Sequence, residues 1–210
     1  MKNRQRTVKV IGIGGGGCNG INTLIDLNLQ GASLIAANMD KQSLNDSRAE
    51  HKLLLGAKAF RGRGAEGDPF IGYEAAMESL DLIKKTLSGA DMVFIMAGLG
   101  GGTGTGAAPV IAEAANDLGC FTVGMVTTPF SFEGKKRWQN AETGIKELCK
   151  HVGQLIIISN GRLLEAAPQD VVFTEMTKKP YEHFYRAIRD IACRTISCAT
   201  SNIWIINHLN

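Results

Sequence analysis

Hydrophobic runs and amphipathic windows alternate along the first three quarters of the chain. Six apolar, β-branched runs predict strands at Thr7–Ile13, Ser33–Asn38, Lys52–Leu55, Asp91–Ala97, Phe121–Thr127 and Gln154–Ser159. The windows between them predict helices at Cys18–Leu29, Phe70–Leu87, Thr105–Leu118 and Glu133–His151. Met92–Ala97 is apolar throughout, as expected of a strand buried on both faces of a parallel sheet. The pattern predicts an α/β fold: a doubly wound, mostly parallel sheet with helices on both faces.

In the last 30 residues the spacing of the apolar residues is different. Apolar residues recur at helical spacing after Pro180, at Tyr181, Phe184, Tyr185, Ile188, Ile191, Ala192 and Ile196. One long helix accounts for this spacing, with Pro180 in the first turn, where its missing N–H costs nothing. We therefore divide the chain into an α/β domain at residues 1–177 and a helix with a short terminal segment at residues 178–210.

Composition narrows the class of protein. With 210 residues, 44% of them hydrophobic, the chain can bury the core of one domain. The 23 basic and 20 acidic residues give a net charge of +3 and are spread along the chain, so we expect no nucleic-acid partner. Because no uninterrupted apolar run reaches about 18 residues, we expect no membrane insertion and a cytoplasmic protein.

Five scattered cysteines lack the spacing of a zinc site, and we expect them to be reduced. They are Cys18, Cys120, Cys149, Cys193 and Cys198. Cys18 differs from the others because it lies in a glycine loop at a predicted helix start, where thiolate character could be raised.

The segment Gly98–Gly106 holds six glycines and two threonines in nine residues, between a buried strand and a predicted helix. Glycines let backbone N–H groups approach an anion closely, and threonine hydroxyls add further donors. The following helix directs the positive end of its dipole to the same place. The segment therefore predicts a phosphate-binding loop.

The first glycine loop of the chain follows the first strand, and Gly98–Gly106 is hereafter the second glycine loop. Within the first loop, Gly12, Gly14 and Gly17 match G-x-G-x-x-G, and with Asp40 after the second strand they would fit a nicotinamide or flavin enzyme. The run of four glycines at Gly14–Gly17 and the presence of another phosphate loop favour a triphosphate instead. The Walker A pattern is absent from the sequence, which disfavours a P-loop NTPase.

Three motifs together resemble one family. Gly100–Gly106, Gly-Gly-Gly-Thr-Gly-Thr-Gly, looks like the signature of the tubulin/FtsZ superfamily. Gly14–Asn19 resembles the first phosphate loop of bacterial FtsZ, and Thr127–Arg137 is similar to its ribose loop. The resemblance runs from about Val8 to Leu164 without apparent insertions.

The resemblance implies a GTPase that binds GTP or GDP, with Mg²⁺ held through the nucleotide. It also implies head-to-tail assembly with itself or with intact FtsZ subunits, contact with division proteins, and a place at the division site in bacterial cell division. The implied nucleotide-binding residues are Gly14, Gly15, Gly16, Gly17, Cys18, Asn19, Asn38, Asp40, Ala65, Glu66, Gly101, Gly102, Thr103, Gly104, Thr105, Gly106, Glu133 and Arg137.

Some of these residues have simpler interpretations. Asp40 could cap a helix that starts near Lys41. Glu133 could be an acid at a helix N-terminus, with Arg137 as its surface partner at i+4.

The base-binding segment departs from the family pattern. Thr177 stands where the resemblance expects an aromatic residue to stack on guanine, and Tyr181 and Glu182 stand where Asn-Asp is expected. Glu182 could accept the guanine N–H groups and Tyr181 could stack on the base. Alternatively, both are ordinary residues of the first helical turn.

The segment Asn202–Asn207 matches the family's catalytic loop, which presents acids to a neighbour's γ-phosphate. Asn202 is retained, but Trp204 and Asn207 replace acids, so we predict no catalytic residue in this chain and expect hydrolysis to need acids from a neighbouring subunit. The family's second domain would follow Asn210. A truncated or frame-shifted product, a degenerate paralogue and a fragment all remain open interpretations.

Three functional hypotheses follow. The first is a GTP-binding, polymer-forming protein of the FtsZ type. The second is a non-hydrolysing regulator or decoy of FtsZ filaments, and the third is a dinucleotide-dependent oxidoreductase.

Overall fold

The computed structural model describes residues 6–168 and 172–193 and the backbone of residues 202–206. Within them, seven parallel strands form one sheet in the order β3-β2-β1-β4-β5-β6-β7. The strands are β1 Val8–Ile13, β2 Ala32–Asn38, β3 His51–Leu54, β4 Met92–Gly98, β5 Phe121–Thr128, β6 Gln154–Ser159 and β7 Asn202–Ile206. The strand order reverses between β1 and β4, and ligands of open α/β sheets bind at such a point.

Helices connect the strands on both faces of the sheet, as predicted. They are α1 Gly14–Asp26, α2 Lys41–Asp46, α3 Pro69–Glu78, α4 Leu80–Leu87, α5 Thr103–Asp117, α6 Lys135–Leu148, α7 Asn160–Ala166, α8 Phe173–Met176 and α9 Lys179–Cys193. Ser131–Glu133 forms a short 3₁₀ turn before α6. Of the helices in the described part of the chain, none is both long enough and apolar enough to cross a membrane.

The central strand β4 shows how the core is divided. Val93, Ile95 and Ala97 pack in the cluster that includes α5, and Phe94 and Met96 pack in the cluster that includes α1 and α9. Both sets are buried. The uninterrupted apolar run therefore has the predicted cause, which is burial on both faces of a parallel sheet.

Several predicted helix boundaries differ from those observed, and three of the differences have a clear local cause. α1 already begins at Gly14, four residues before the predicted start. The single helix predicted for residues 70–87 is two helices, which meet at Ser79, whose hydroxyl accepts a hydrogen bond from the Gly56 N–H. Gly134, with φ of 94°, separates Glu133 from α6. Local hydrogen bonding and glycine conformation set these ends, and hydrophobic periodicity does not report them.

The C-terminal segment corrects a prediction. Asn202–Ile206, expected to be a catalytic loop at the end of an amphipathic helix, forms β7 and pairs with β6 from Gln154↔Asn202 to Ile158↔Ile206. Its β-branched and aromatic residues favour a strand, and β6 supplies an open edge of backbone donors and acceptors. Trp204 lies inside this strand, and Asn207 lies outside the described residues, as does the part of the predicted helix after Cys193.

Candidate nucleotide-binding site

The two glycine loops meet where the strand order reverses. β1 and β4 are hydrogen-bonded neighbours that end side by side at Ile13↔Ala97. A Cβ added to Gly14 would lie 3.1 Å from the Gly104 amide nitrogen, and one added to Gly104 would lie 2.6 Å from the Gly98 carbonyl oxygen. Glycine is therefore needed for these backbones to approach each other.

A cavity of about 410 Å³ opens between the loops. It brings together predicted residues from both loops, the 3₁₀ turn, α6 and α9. They are Gly14, Gly15, Gly16, Asn19, Gly101, Gly102, Thr103, Gly104, Glu133, Arg137 and Tyr181.

Other lining residues lie at or just after strand ends, or at and just before the start of α9. They are Gly98, Leu99, Thr127, Pro129, Asn160, Thr177 and Pro180. None of the seven was named as a binding residue, although Gly98 and Leu99 lie in the predicted phosphate loop, Thr127 and Pro129 in the segment similar to the ribose loop, and Thr177 at the expected stacking position. Asn160 could have been found, because it directly follows β6 and the carboxyl ends of parallel strands share one edge of the sheet.

The cavity suits an anion. α1 begins at Gly14 and α5 begins at Thr103, so two helix N-termini present backbone N–H groups to the same space. Arg137 adds a cation and pairs with Glu133, whose other carboxylate oxygen accepts from the Phe130 N–H at 2.8 Å. The i+4 ion pair considered as an alternative thus exists, and both of its members also line the cavity.

Gly15 and Gly101, one in each loop, face open space. Apart from its chain neighbours and the local helix backbone, a Cβ added to either would have no protein atom within 4 Å, and neither has a positive φ. The protein's own packing therefore gives no reason for glycine at these two positions. A ligand that approaches the backbone closely would supply that reason.

Several predicted residues build the loops without lining the cavity. A Cβ on Gly17 would lie 2.6 Å from the Met96 carbonyl oxygen, and one on Gly106 would overlap the carbonyl group of Pro69 in α3. The Thr105 hydroxyl accepts a hydrogen bond from the Gly100 N–H at 2.8 Å. Thr105 and Gly106 thus shape the second glycine loop from behind, and Gly17 shapes the first.

The predicted residues of β2 and α1 also lie behind the cavity wall. Asn38 donates from its amide to the Ser43 hydroxyl at 3.2 Å and to the Cys18 sulfur at 3.9 Å. Burial raises the pKa of Cys18 to about 11, so the expected thiolate character is not found. Asp40 caps α2 by accepting from the Gln42 and Ser43 N–H groups, which confirms its simpler interpretation.

The loop from Gly62 to Asp68 supports the second glycine loop. Ala65 is buried, and a Cβ added to Gly102 would lie 2.6 Å from the Ala65 Cβ. Glu66 is exposed on the other side of the loop, where it lines a separate hollow with Arg61 and Arg63. The structure thus brings Ala65 up to the cavity wall but leaves Glu66 away from it.

Tyr181 forms one wall of the cavity near Thr177 and Pro180. Its hydroxyl donates to the Gly16 carbonyl oxygen at 2.7 Å, and a Cβ added to Gly20 would lie 2.8 Å from its ring. Burial raises the pKa of Tyr181 well above its ordinary value. Glu182 does not line this cavity and pairs with Lys179 at 3.1 Å.

A parallel sheet with two glycine loops and two helix N-termini at its switch point is the arrangement found in nucleotide-binding α/β domains. Residues 7–168 match the Tubulin/FtsZ family, GTPase domain, and the chain belongs to this family. The family resemblance is thereby confirmed.

Two curated relatives carry the name Cell division protein FtsZ 1. The protein from Thermococcus kodakarensis is 52% identical over 164 residues, and the one from Pyrococcus horikoshii is 51% identical over 162 residues. Both are archaeal proteins, so the bacterial part of the expected resemblance is not confirmed. The matches cover 78% and 77% of this chain but 44% of each relative.

Solved structures agree with this assignment. An empty FtsZ dimer from M. jannaschii superimposes with a TM-score of 0.83 at 41% identity, covering 91% of this chain and 55% of that one. CetZ2 from Haloferax volcanii, in a GTPγS-bound protofilament, gives a TM-score of 0.78 at 22% identity over 89% of this chain and 58% of that one. The second likeness concerns the fold alone.

Proposed function

We propose that the cavity binds GTP or GDP. The observation that carries the proposal is the open space in front of Gly15 and Gly101, at a point where two helix N-termini meet. A polyphosphate would fill this space and accept hydrogen bonds from the backbone N–H groups. The GTPase-domain family supports guanine as the base.

A magnesium ion would bind through the nucleotide. Within the described residues there is no group of three or more His, Cys, Asp or Glu side chains that could hold a metal ion. Phosphate oxygens and water would therefore supply most of its ligands, as is usual for Mg²⁺ in nucleotide sites. The cluster of N–H groups and Arg137 would hold the phosphates from the protein side.

Equilibrium binding of a fluorescent GTP analogue tests the proposal. The purified chain is titrated, and the bound analogue is competed with GTP, ATP and NAD in parallel. We expect GTP to compete and ATP and NAD to compete far more weakly. Preferential competition by NAD would revive the oxidoreductase hypothesis, and the absence of any binding would contradict a nucleotide site.

Assembly and hydrolysis form the second part of the proposal. We infer that the chain associates head to tail with itself or with intact FtsZ subunits at the division site, and that it contacts division proteins there. Hydrolysis would use acids from a neighbouring subunit. This chain would receive such acids without supplying them, because Trp204 and Asn207 stand at the matching positions and Asn202–Ile206 is paired in the sheet.

The domain division is proposed as a GTP-binding unit at residues 1–177, followed by the helix and a terminal segment at residues 178–210. The terminal segment contains β7, which pairs with β6 in place of the expected catalytic loop. The replacement of acids at Trp204 and Asn207 also favours a second candidate function, a non-hydrolysing regulator or decoy of FtsZ filaments. Light scattering distinguishes these roles when the chain is added to an assembling intact FtsZ. Suppressed assembly supports a capping role, and unchanged assembly contradicts it.

A further inference from the structure

Asn140, on α6, connects two loops behind the cavity. Its side-chain amide nitrogen donates to the carbonyl oxygens of Gly67 and Gly100, at 3.2 Å in each case. Because both partners are carbonyl acceptors, the amide must direct its nitrogen towards the loops to make both bonds. One side chain thus joins the loop of Gly62–Asp68 to the second glycine loop.

Packing of α6 fixes the position of this side chain. Gly144 lies one turn after Asn140 on the same face of the helix, and a Cβ there would lie 2.7 Å from the Thr105 Cγ2. Glycine at 144 therefore lets α6 approach α5 closely. Since Thr105 accepts from the Gly100 N–H and Asn140 donates to the Gly100 carbonyl, both backbone polar groups of Gly100 are held.

The loop of Gly62–Asp68 needs such a restraint. Arg61, directly before this loop, and Glu66, within it, have φ of 52° and 46°, a region that non-glycine residues enter at a cost in free energy. The loop nevertheless packs closely on the cavity wall, where a Cβ on Gly102 would lie 2.8 Å from the Asp68 amide nitrogen. A shift of the loop would therefore change the support of Gly102.

Contacts of the two glycine loops show which residues are neighbours in the cavity wall. Tyr181 contacts Gly16 at one end. Gly14, in the same loop as Gly16, faces Gly104 of the second glycine loop, and Gly102 of that loop packs against its supporting loop at Ala65 and Asp68. A nucleotide with its base near Tyr181 would bring its last phosphate towards Gly102.

We propose that Asn140 is a positioning residue that holds the Gly62–Asp68 loop against the second glycine loop and so sets the cavity for a triphosphate. The inference rests on the proposed nucleotide site. A third phosphate would extend the ligand towards Gly102. The affinity for GTP should therefore depend on the distance between the Gly62–Asp68 loop and the second glycine loop more strongly than the affinity for GDP does.

The first experiment compares GTP and GDP affinities of the full chain and two variants. Asn140→Ala removes both hydrogen bonds and is expected to weaken GTP binding about tenfold and GDP binding about twofold. Asn116→Ala is the matched control, because the Asn116 amide also donates across elements, to the His151 carbonyl at 2.7 Å, away from the cavity. It should leave the ratio of the two affinities unchanged.

A second measurement needs no nucleotide. Trypsin cleavage after Arg61 and Arg63 reports the mobility of the loop, and we expect Asn140→Ala to accelerate it several-fold while Asn116→Ala does not. Asn140→Gln keeps the amide donors and should restore slow cleavage and part of the GTP preference. Thermal unfolding shows that each variant is folded.

The outcomes separate the two proposals. An unchanged ratio of GTP to GDP affinity in Asn140→Ala overturns its role in triphosphate binding, and unchanged cleavage overturns the restraint itself. If the wild-type chain binds no nucleotide, the proposed function fails. The cleavage comparison still decides whether Asn140 holds the loop.

Discussion

The two ends of the cavity are built in different ways. At the end proposed to bind phosphate, here called the phosphate end, backbone groups of two loops meet, and each loop directly follows a strand of the same sheet. At the other end, the wall is made by side chains from separate segments, with Asn160 after β6 and Thr177 and Tyr181 near the start of α9. The end made of backbone groups depends on glycines. At the end made of side chains, single residues can be replaced while the fold is kept.

This comparison predicts two classes of variant. Substitutions at the phosphate end should weaken the binding of GTP and of inorganic triphosphate alike. Substitutions at the base end should weaken GTP binding alone, because inorganic triphosphate has no base to contact that wall. Parallel titrations with the two ligands therefore test the assignment of the ends.

The largest effect is expected for Gly104→Ala. The new Cβ would lie 2.6 Å from the carbonyl oxygen of Gly98, the last residue of β4. The second glycine loop must therefore move away from the end of β4. We expect a loss of about 1–3 kcal/mol in the free energy of unfolding, as for other overpacked sites. Binding of both ligands should fall at least about a hundredfold, equivalent to roughly 2.7 kcal/mol. Full affinity in this variant would contradict a backbone-built phosphate end.

Gly15→Ala and Gly101→Ala separate binding from stability. Because a Cβ at either position has no atom from another part of the chain within 4 Å, the fold should tolerate both. Gly15 lies in α1, where alanine stabilises a helix by up to about 1 kcal/mol. Affinity for GTP and for inorganic triphosphate should nevertheless fall about tenfold, equivalent to roughly 1.4 kcal/mol, since the methyl group occupies the ligand's space.

Gly161→Ala is the matched control for these variants. Gly161 lies in α7 outside the cavity, and a Cβ there would have its nearest contact at 3.8 Å. Its affinity should equal that of the wild type. Wild-type affinity in Gly15→Ala and Gly101→Ala would mean that the open space holds no phosphate.

Tyr181→Phe tests the base end. The variant keeps the ring against Gly20 and loses the hydrogen bond to the Gly16 carbonyl, which should cost about 1 kcal/mol of stability. We expect GTP affinity to fall about threefold through looser positioning of this wall, equivalent to roughly 0.65 kcal/mol. Affinity for inorganic triphosphate should stay unchanged.

Tyr185→Phe is the control for this variant, since Tyr185 lies on the same helix and outside the cavity lining. If Tyr181→Phe loses affinity for GTP and for inorganic triphosphate equally, the assignment of Tyr181 to the base end is wrong.

The same contrast explains what the sequence could predict. Strands, their loops and the phosphate end were predictable because a glycine run between a buried strand and a helix is a local signal. Asn140 gave no such signal, since its role depends on a long-range approach of α6 that only Gly144 and its neighbours allow. For Asn202–Ile206, a short apolar run fits a strand or a helix end equally well. The open edge of β6 accounts for the strand.

The smallest effect is expected for Glu182→Gln. Glu182 pairs with Lys179 on the surface of α9 and is absent from the cavity lining, and such exposed pairs contribute about 0–1 kcal/mol. GTP affinity should therefore stay within about twofold of the wild type, as should the preference for GTP over ATP. Glu147→Gln is the matched control, because Glu147 forms an i,i+3 pair with Lys150 at 2.7 Å away from this cavity. A tenfold or larger loss of GTP affinity in Glu182→Gln alone would instead show that this carboxylate turns towards the base when nucleotide binds.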